Sequence, residues 1–257
     1  MTEAEQTGRL ARPDGIELAW SRLSGREPML VFLPGYNSDM GGSKALALAE
    51  FCTASGQALL RFDYSGHGAS DGRFEDGTIG AWTQDALLLI DRLGAGRLVL
   101  VGSSMGGWIA LLAGLARPAR VAALVGVAAA PDFTERLMWQ TMAEPERARL
   151  LREGVLHVPS QYGEPYPVTR ALIEEGRRHL LLDRAIPLAC PVRLLHGQRD
   201  ADVPWETALH LAARLEADDV QVTLVKDGDH RLSRPEDLAL LGRTLEGLGL
   251  PLTATGG

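Results

Sequence analysis

Short apolar runs alternate with segments of helical periodicity along most of the chain. Runs of aliphatic residues bounded by glycine, proline or polar residues predict buried strands; they lie at 16–22, 29–33, 57–62, 97–101, 121–128 and 220–225, with another beginning at Val192. Apolar residues at helical spacing predict helices at 42–55, 79–93, 204–215 and 235–248, and another after residue 106. Because strands and helices alternate, the pattern predicts an α/β fold with a mostly parallel central sheet and helices on both faces.

The junction between the strand at 97–101 and the helix after it reads Gly102-Ser103-Ser104-Met105-Gly106, a G-x-S-x-G pattern. A strand, a tight turn and a helix in this order present a serine nucleophile at the apex of the turn. Glycines on both sides of the serine allow the strand and the helix to pack closely around it. The backbone N–H of Met105, at the helix N-terminus, can donate to an oxyanion. We therefore predict that Ser104 is a nucleophile.

A serine nucleophile needs a base, and the base needs an acid that orients it. The strand that begins at Val192 ends in a glycine turn followed by Asp200, and the strand at 220–225 ends in a polar loop that carries His230. Both residues follow the carboxyl end of a strand, where ligands bind in open α/β sheets. The chain order of serine, acid and histidine is also that of α/β-hydrolases.

Other acids and histidines compete for these two roles. Asp202 is a second candidate acid, and its alternative role is to stabilise the start of the helix at 204–215. Asp227 and Asp229 are better explained as loop acids beside His230. We expect the other histidines to be structural or solvated: His67 in a glycine-rich turn, His196 at a strand end, and His157, His179 and His210 on the later helical segments.

The pattern changes between residues 132 and 187. Helical pieces at 133–142, 144–153 and 168–179 are separated by joints rich in proline, tyrosine and glycine, and no strand is predicted there. Because this segment lies between two strands of the sheet, we expect it to form a short helical cap over Ser104. The predicted organisation is a single domain of residues 1–257, with 132–187 as the cap insertion.

Composition narrows the function classes further. The formal net charge is −7 and no run of lysine or arginine occurs, so nucleic acid is not an expected partner. The two cysteines are far apart in sequence and lack metal-ligand spacing, so we predict buried thiols, no disulfide framework and no metal site. No apolar stretch approaches the roughly 20 residues that span a bilayer. The first residues resemble neither a secretion signal nor an import presequence, which predicts a cytoplasmic protein.

Several passages together resemble a known family. They are Pro-Gly-Tyr at 34–36, Arg-Phe-Asp-Tyr-Ser-Gly at 61–66, Gly-Ser-Ser-Met-Gly-Gly-Trp at 102–108, Arg-Leu-Leu-His-Gly at 193–197 with Val-Pro-Trp at 203–205, and Asp-His-Arg at 229–231. The chain resembles the α/β-hydrolase superfamily over essentially its whole length. More narrowly, it resembles the mitochondrial acyl-glucuronide esterase and palmitoyl-protein thioesterase subgroup, from which it differs in lacking a mitochondrial presequence.

This resemblance implies a serine hydrolase that acts on esters or thioesters without a cofactor, with a triad of Ser104, Asp200 and His230. The family pattern favours Asp200 over Asp202 because Asp200 lies three residues before Val203-Pro204. It also assigns the second oxyanion donor to the backbone N–H of Tyr36, which complements that of Met105. The ring of Tyr36 is then a candidate wall of the substrate pocket.

Three further residues are candidate substrate contacts. Trp108 follows the nucleophile on its helix, and Met138 and Trp139 lie on the cap, although such residues are more often part of a core. Lys44 could pair with an anionic substrate, but a solvated surface lysine is the favoured interpretation.

The expected substrate is a small-molecule or acylated-protein ester or thioester. The alternatives are a lipase-like or carbon–carbon-bond hydrolase and a non-catalytic hydrolase fold that binds a small molecule. Acyl-chain length, leaving group and oligomeric state stay open.

Overall fold

An eight-stranded sheet forms the centre of the molecule in the computed structural model, which describes residues 5–160 and 163–250. The described residues form ten strands; eight of them make up this sheet, and β7 and β8 form a separate hairpin. In chain order they are β1 (Gln6–Ala11), β2 (Glu17–Leu23), β3 (Arg26–Leu33), β4 (Gln57–Phe62), β5 (Leu98–Ser103), β6 (Val121–Val127), β7 (Val155–Ser160), β8 (Gly163–Thr169), β9 (Val192–Gly197) and β10 (Val220–Val225).

The strand order across the sheet is β1-β2-β4-β3-β5-β6-β9-β10. Only β2 runs against the others: it pairs antiparallel with β1 and β4, and every other neighbouring pair in the sheet is parallel. The mostly parallel sheet predicted from the sequence is therefore confirmed. The connections reverse direction between β3 and β5, and ligands bind at such a switch point in open α/β sheets.

Helices cover both faces of the sheet, as the alternation of elements predicts. In chain order they are α1 (Ser43–Ser55), α2 (Ile79–Leu93), α3 (Met105–Ala116), α4 (Glu144–Glu153), α5 (Arg170–Gly176), α6 (Glu206–Arg214) and α7 (Pro235–Glu246). Helices α1 and α7 pack on one face, where Leu48 and Leu245 join Val99 in one core. Helices α2, α3 and α6 pack on the other face, where Trp82 and Ile109 lie in a second core. Among the helices within the described ranges, none combines the length and the apolar character needed to cross a bilayer.

The segment between β6 and β9 differs from its prediction as purely helical. It contains a π-helical turn at Thr134–Trp139, then α4, the antiparallel hairpin β7–β8, α5 and a 3₁₀ turn at Arg177–His179. The expectation that 132–187 holds no strand is therefore wrong. The segment has a small core of its own, formed by Leu150, Leu156, Val168 and Ile173.

Asp132 joins the two ends of this segment. Its side chain is fully buried, and its two carboxylate oxygens accept hydrogen bonds from the backbone N–H groups of Leu181 and Leu182 at 2.8 and 2.9 Å. Further along, the indole N–H of Trp108 donates to the carbonyl of His179 at 3.1 Å. The segment is thereby fixed to α3 and to its own starting point.

Candidate active site

Ser104 occupies the strained turn between β5 and α3. Its φ of 53° lies in the left-handed region that residues with side chains rarely adopt. A Cβ atom on Gly102 would lie 2.3 Å from the carbonyl oxygen of Gly106, and one on Gly106 would lie 2.0 Å from that of Leu33. Only glycine therefore fits at both positions, and the close packing predicted around Ser104 is confirmed.

A chain of hydrogen bonds links Ser104, His230 and Asp200. The Nε2 atom of His230 lies 3.1 Å from Ser104 Oγ, and its Nδ1 atom lies 2.8 Å from Asp200 Oδ2. Because an ionised carboxylate only accepts hydrogen bonds, Nδ1 carries the proton and Nε2 is left to accept one from the serine hydroxyl. The three residues follow β5, β9 and β10, so the ends of three strands bring them together as expected.

Asp200 receives four hydrogen bonds although its side chain is fully buried. The backbone N–H groups of Asp202 and Val203 donate to Oδ1 at 2.9 and 2.8 Å, while His196 Nε2 and His230 Nδ1 donate to Oδ2 at 3.1 and 2.8 Å. Burial acts to raise the pKa of Asp200, but the hydrogen bonds from His196 and His230 hold it well below its usual range. The acid is therefore kept ionised.

The competing acids lie in other surroundings. Asp202 is exposed, and its own backbone N–H supports Asp200. Asp227 forms an ion pair with Arg234 at 2.7 Å, and Asp229 accepts the backbone N–H of Arg231 in the loop that carries His230. These contacts agree with the interpretation of Asp227 and Asp229 as loop acids.

Two loops surround the serine at the point where an oxyanion would form. The N–H of Met105 lies in the first turn of α3, where N–H groups have no acceptor within the helix. On the other side, the loop after β3 passes so close that a Cβ on Gly35 would lie 3.4 Å from the Cβ of Ser104. Tyr36 follows directly in this loop and so lies beside Ser104.

A cavity of about 300 Å³ opens from Ser104 and His230 towards the segment between β6 and β9, and polar and apolar groups share its surface almost equally. We call it the apolar cavity after the side chains that form most of its wall. Most of its wall is apolar or aromatic, and Asn37 and Asp202 are the polar residues beside the serine and the histidine. The remaining lining residues are Tyr36, Ala130, Phe133, Leu137, Met138, Pro159, Tyr166 and Val203. Such a cavity suits a long apolar group attached to a carbonyl carbon held at Ser104.

A second cavity, of about 200 Å³, also reaches Ser104 and His230, and its surface is slightly more polar than apolar; we call it the polar cavity. Lys44 and Arg231 contribute to its wall, and the ammonium of Lys44 donates to the carbonyl of Arg231 at 2.5 Å. Burial, together with the neighbouring charge of Arg231, lowers the pKa of Lys44 to about 8. Lys44 is thus a lining residue of this cavity, contrary to the favoured interpretation of a solvated surface lysine.

The predicted substrate contacts separate into two groups. Tyr36 and Met138 line the apolar cavity, and Tyr36 also lines the polar one. Trp108 is fully buried below the site among the core residues. The ring of Trp139 contacts the guanidinium groups of Arg147 and Arg177, whose central carbons lie 5.3 and 4.9 Å from the ring centre. These are cation–π contacts, in which the positive charge is attracted to the ring face. The structure places neither tryptophan in the lining of a cavity at Ser104.

Sequence reasoning missed the part that His196 plays in this site. It was interpreted as a structural histidine, yet its Nε2 lies within hydrogen-bonding distance of the acid. The available signal was its position four residues before Asp200 at the end of the same strand. Asn37 was also missed; its φ of 53° is one of the few left-handed conformations outside glycine in the described residues.

Ser104, Asp200 and His230 lie at the ends of three strands, and Ser104 stands in a strained turn at the start of a helix. These features define the class of protein. A family model described as serine aminopeptidase S33 matches residues 26–172. The chain belongs to this family, within the α/β-hydrolase superfamily, and the expected fold class is confirmed.

Particular relatives are similar over nearly the whole chain. The bovine and human proteins named palmitoyl-protein thioesterase ABHD10, mitochondrial, are each 46% identical over 93% of this chain and 78% of their own length. The structure of mouse α/β-hydrolase domain-containing protein 10 matches with a TM-score of 0.88 and 41% identity, covering 95% of this chain and 98% of that one. A putative hydrolase from Agrobacterium vitis matches with a TM-score of 0.92 and 40% identity, covering 96% and 99%.

The comparisons correct one expectation. A cytoplasmic location was expected from the polar first residues of the sequence. The similar proteins from cattle, humans and orangutan are named as mitochondrial, which contradicts that expectation.

Proposed function

We propose that this protein hydrolyses carboxylic esters and acyl thioesters through an acyl-enzyme formed on Ser104. The observation that carries the proposal is the chain of hydrogen bonds from Asp200 through His230 to Ser104 at the meeting point of two cavities. A nucleophile, a base and an oriented acid in hydrogen-bond contact are what acyl transfer to a serine needs.

Acylation begins when Ser104 Oγ attacks the carbonyl carbon of the substrate and His230 Nε2 takes the hydroxyl proton. The imidazolium that forms is stabilised by the carboxylate of Asp200 on its other side. The tetrahedral intermediate then collapses, the bond to the leaving oxygen or sulfur breaks, and His230 returns the proton to that atom. Water, activated by the same histidine, attacks the acyl-enzyme, releases the carboxylic acid and restores Ser104.

The oxyanion of the tetrahedral intermediate is assigned to the backbone N–H groups of Met105 and Tyr36. They lie on the two loops that surround Ser104, at the ends of neighbouring parallel strands β3 and β5. Donors fixed by the backbone need no reorganisation as the negative charge develops, and one such donor typically contributes about 10²- to 10³-fold to kcat.

The two cavities bind different parts of the substrate. The apolar cavity takes the acyl chain, because Phe133, Leu137 and Met138 offer it only apolar surface. The polar cavity, lined by Lys44 and Arg231, takes the leaving group. Residues 132–187 then act as the cap of a single domain, because one side of the acyl cavity belongs to them. Part of the segment packs around its own small core, while Phe133 and Leu172 anchor it in a core on the sheet.

The relatives support an acylated protein as one class of substrate. Proteins 46% identical to this chain are named palmitoyl-protein thioesterases, and a long acyl group on a cysteine sulfur matches one apolar and one polar cavity at the serine. A small-molecule acyl ester meets the same chemical requirements. We assign both substrate classes to the one site.

Labelling with a fluorophosphonate probe and turnover of p-nitrophenyl esters test this proposal. Wild type should react with the probe at Ser104 and hydrolyse the ester, whereas Ser104→Ala should lose both while staying folded. Ser103→Ala is the matched control, because Ser103 precedes the nucleophile in β5 and should keep both activities. Labelling at Ser103, or turnover that survives in Ser104→Ala, would contradict the assignment. Ligand binding without turnover would favour the non-catalytic alternative.

A panel of esters and thioesters with matched acyl chains tests the substrate class. Each buried methylene is worth about 0.8 kcal/mol, so kcat/KM should rise with chain length until the apolar cavity is full. If kcat/KM reaches its maximum at the same acyl-chain length in the ester and the thioester series, one cavity binds the acyl chain of both substrate classes. A profile independent of length would contradict it.

A further inference from the structure

His196 makes a contact with the acid that the proposed mechanism does not use. Its side chain is 1% exposed at the end of β9, and its Nε2 lies 3.1 Å from Asp200 Oδ2. That carboxylate oxygen also accepts the hydrogen bond from His230 Nδ1 at 2.8 Å. Two imidazoles therefore converge on one oxygen of a buried acid.

The surroundings of His196 fix its protonation. Nε2 also lies 3.0 Å from the carbonyl oxygen of Val203, and both of its neighbours are acceptors, so Nε2 carries a proton. Its Nδ1 atom is buried and has no hydrogen-bond partner among the described residues. A second proton there would be a buried donor with no acceptor, which is costly. His196 therefore acts on Asp200 as a hydrogen-bond donor from Nε2.

The contact completes the set of groups that hold the carboxylate. Oδ1 is fixed by the backbone N–H groups of Asp202 and Val203, so without His196 the position of Oδ2 would depend on His230 alone. His230 must move its proton and its charge during each reaction cycle. A donor that does not take part in proton transfer keeps Oδ2 in place throughout.

We propose that His196 is a positioning residue that holds the carboxylate of Asp200 in the orientation that His230 needs. The proposal rests on the proposed function, since it assigns Asp200 as the acid of the triad. When His230 becomes positively charged, the hydrogen bond from His196 helps Asp200 to remain an anion and so keeps the proton on His230 Nδ1. The role is exerted through Asp200, and His196 does not reach Ser104 or the cavities.

Two amide substitutions at His196 test whether the site needs a hydrogen-bond donor at the position of Nε2 or only a polar side chain. The amide nitrogen of glutamine can occupy the place of Nε2, whereas that of asparagine reaches only as far as Nδ1. His196→Gln should therefore keep kcat within about fivefold of wild type. His196→Asn should lose about 10- to 100-fold in kcat with little change in KM, because a hydrogen bond to a charged group is removed without any loss of substrate contacts.

Leu195→Ala is the control for a general loss of stability. Leu195 is the neighbouring residue on β9, and its side chain points into the core on the opposite face of the sheet. This variant should be destabilised yet keep the kcat of wild type. Should His196→Asn not fold, His196→Met repeats the test without a buried amide.

A second readout is independent of turnover. The proton shared between His230 Nδ1 and Asp200 should give a low-field ¹H NMR signal in wild type, in His196→Gln and in Leu195→Ala, and this signal should shift or broaden in His196→Asn. Equal losses of kcat in the two amide variants, full activity in His196→Asn, or an equal loss in Leu195→Ala would overturn the inference. If wild type itself turns over no ester, the proposed function fails, and the NMR signal still tests the contact between His196 and Asp200.

Discussion

Asp200 and Asp202 are separated by one residue but have opposite surroundings. The side chain of Asp200 is fully buried and accepts four hydrogen bonds, while Asp202 is exposed at the edge of the apolar cavity. The turn after β9 produces this difference in burial, because the N–H groups of residues 202 and 203 point back at the carboxylate of Asp200. One side chain is thereby directed into the protein and the other towards solvent.

Exchanging each acid for its amide should separate their roles. Asp200→Asn should lower kcat about 10⁴-fold, because an amide favours the wrong tautomer of His230 and cannot balance its positive charge. Asp202→Asn should change kcat by less than about threefold, since the backbone N–H that it supplies is unchanged. Steady-state kinetics with a p-nitrophenyl ester measure both. Equal losses, or a larger loss in Asp202→Asn, would contradict the assignment of the acid.

At the residue scale, the sequence predicted correctly which residues lie together where chemistry and chain order coincide. Ser104, Asp200 and His230 each follow the end of a strand, and parallel strands bring such residues to one edge of the sheet. Prediction failed where the outcome depends on which way a side chain points in three dimensions. Trp139 follows Met138 directly, yet it packs between two guanidinium groups and Met138 lines the cavity.

At the scale of elements, β7 and β8 escaped prediction because prolines interrupt them. Pro159, Pro165 and Pro167 read as joints between helices, but both strands of a two-stranded hairpin are edges, where proline is tolerated. The alternation of Leu156, His157 and Val158 was the available signal for a strand. Strand β1 was missed for a related reason, because its residues are largely exposed and polar.

Replacing Met138 should shift acyl-chain selectivity, and replacing its neighbour should not. Met138→Ala removes three heavy atoms from the wall of the cavity, so the optimum of kcat/KM should move to acyl chains about two to three carbons longer. Trp139→Ala, the matched control, should lower stability through the loss of its two cation–π contacts and leave the length profile unchanged. The ester panel measures both. Superimposable profiles for wild type and Met138→Ala would show that Met138 does not contact the acyl chain.

The hydroxyl of Tyr36 joins the loop after β3 to the hairpin. It donates to the carbonyl of Pro167 at 2.6 Å, and the Tyr36 ring makes an edge contact with that of Tyr166. Tyr36→Phe should lower the free energy of unfolding by about 1 kcal/mol, since the partly buried carbonyl of Pro167 loses its donor. Amide hydrogen exchange in the hairpin should accelerate more than exchange in β5. Unchanged protection of the hairpin would show that this hydrogen bond does not restrain it.

At the scale of the whole molecule, the parallel sheet could be predicted because its strands are buried on both faces. Such strands form continuous apolar runs, and β4, β5, β6 and β9 are buried throughout. The order of the strands could not be predicted, because every run has similar apolar character and none specifies its neighbour. The position of the site follows from that order, since β3 and β5 meet where the chain reverses direction.

The burial of His67 predicts how the free energy of unfolding of the whole protein depends on pH. Its ring is buried among Tyr64, Phe74 and Trp82, and burial lowers the pKa of His67 to about 4. Between pH 6.5 and 4 the unfolded chain binds a proton at this residue and the native protein does not, so stability falls with falling pH. This linkage is worth about 3 kcal/mol over that window.

Denaturant unfolding at several pH values between 7 and 4 measures the effect. In His67→Phe the free energy of unfolding should fall less between pH 6.5 and 4 than in wild type, by about 3 kcal/mol. Tyr64→Phe is the control, because Tyr64 packs against the same ring and burial raises its pKa, so it stays neutral throughout this window and the variant should follow wild type. Parallel curves for wild type and His67→Phe would contradict a neutral buried imidazole.

The hydrogen bonds that Asp132 accepts from residues 181 and 182 mean that the two ends of residues 133–180 lie side by side. The part of the segment that surrounds its own small core is then open to exchange. A segment of different length or sequence placed between these two ends changes the closure entropy only slowly, by about 0.6 kcal/mol for each doubling of its length. New acyl selectivities are therefore expected from exchanges within residues 133–180 that keep three contacts with the rest of the protein: Leu172 in the core on the sheet, and the carbonyls of residues 167 and 179 that accept from Tyr36 and Trp108.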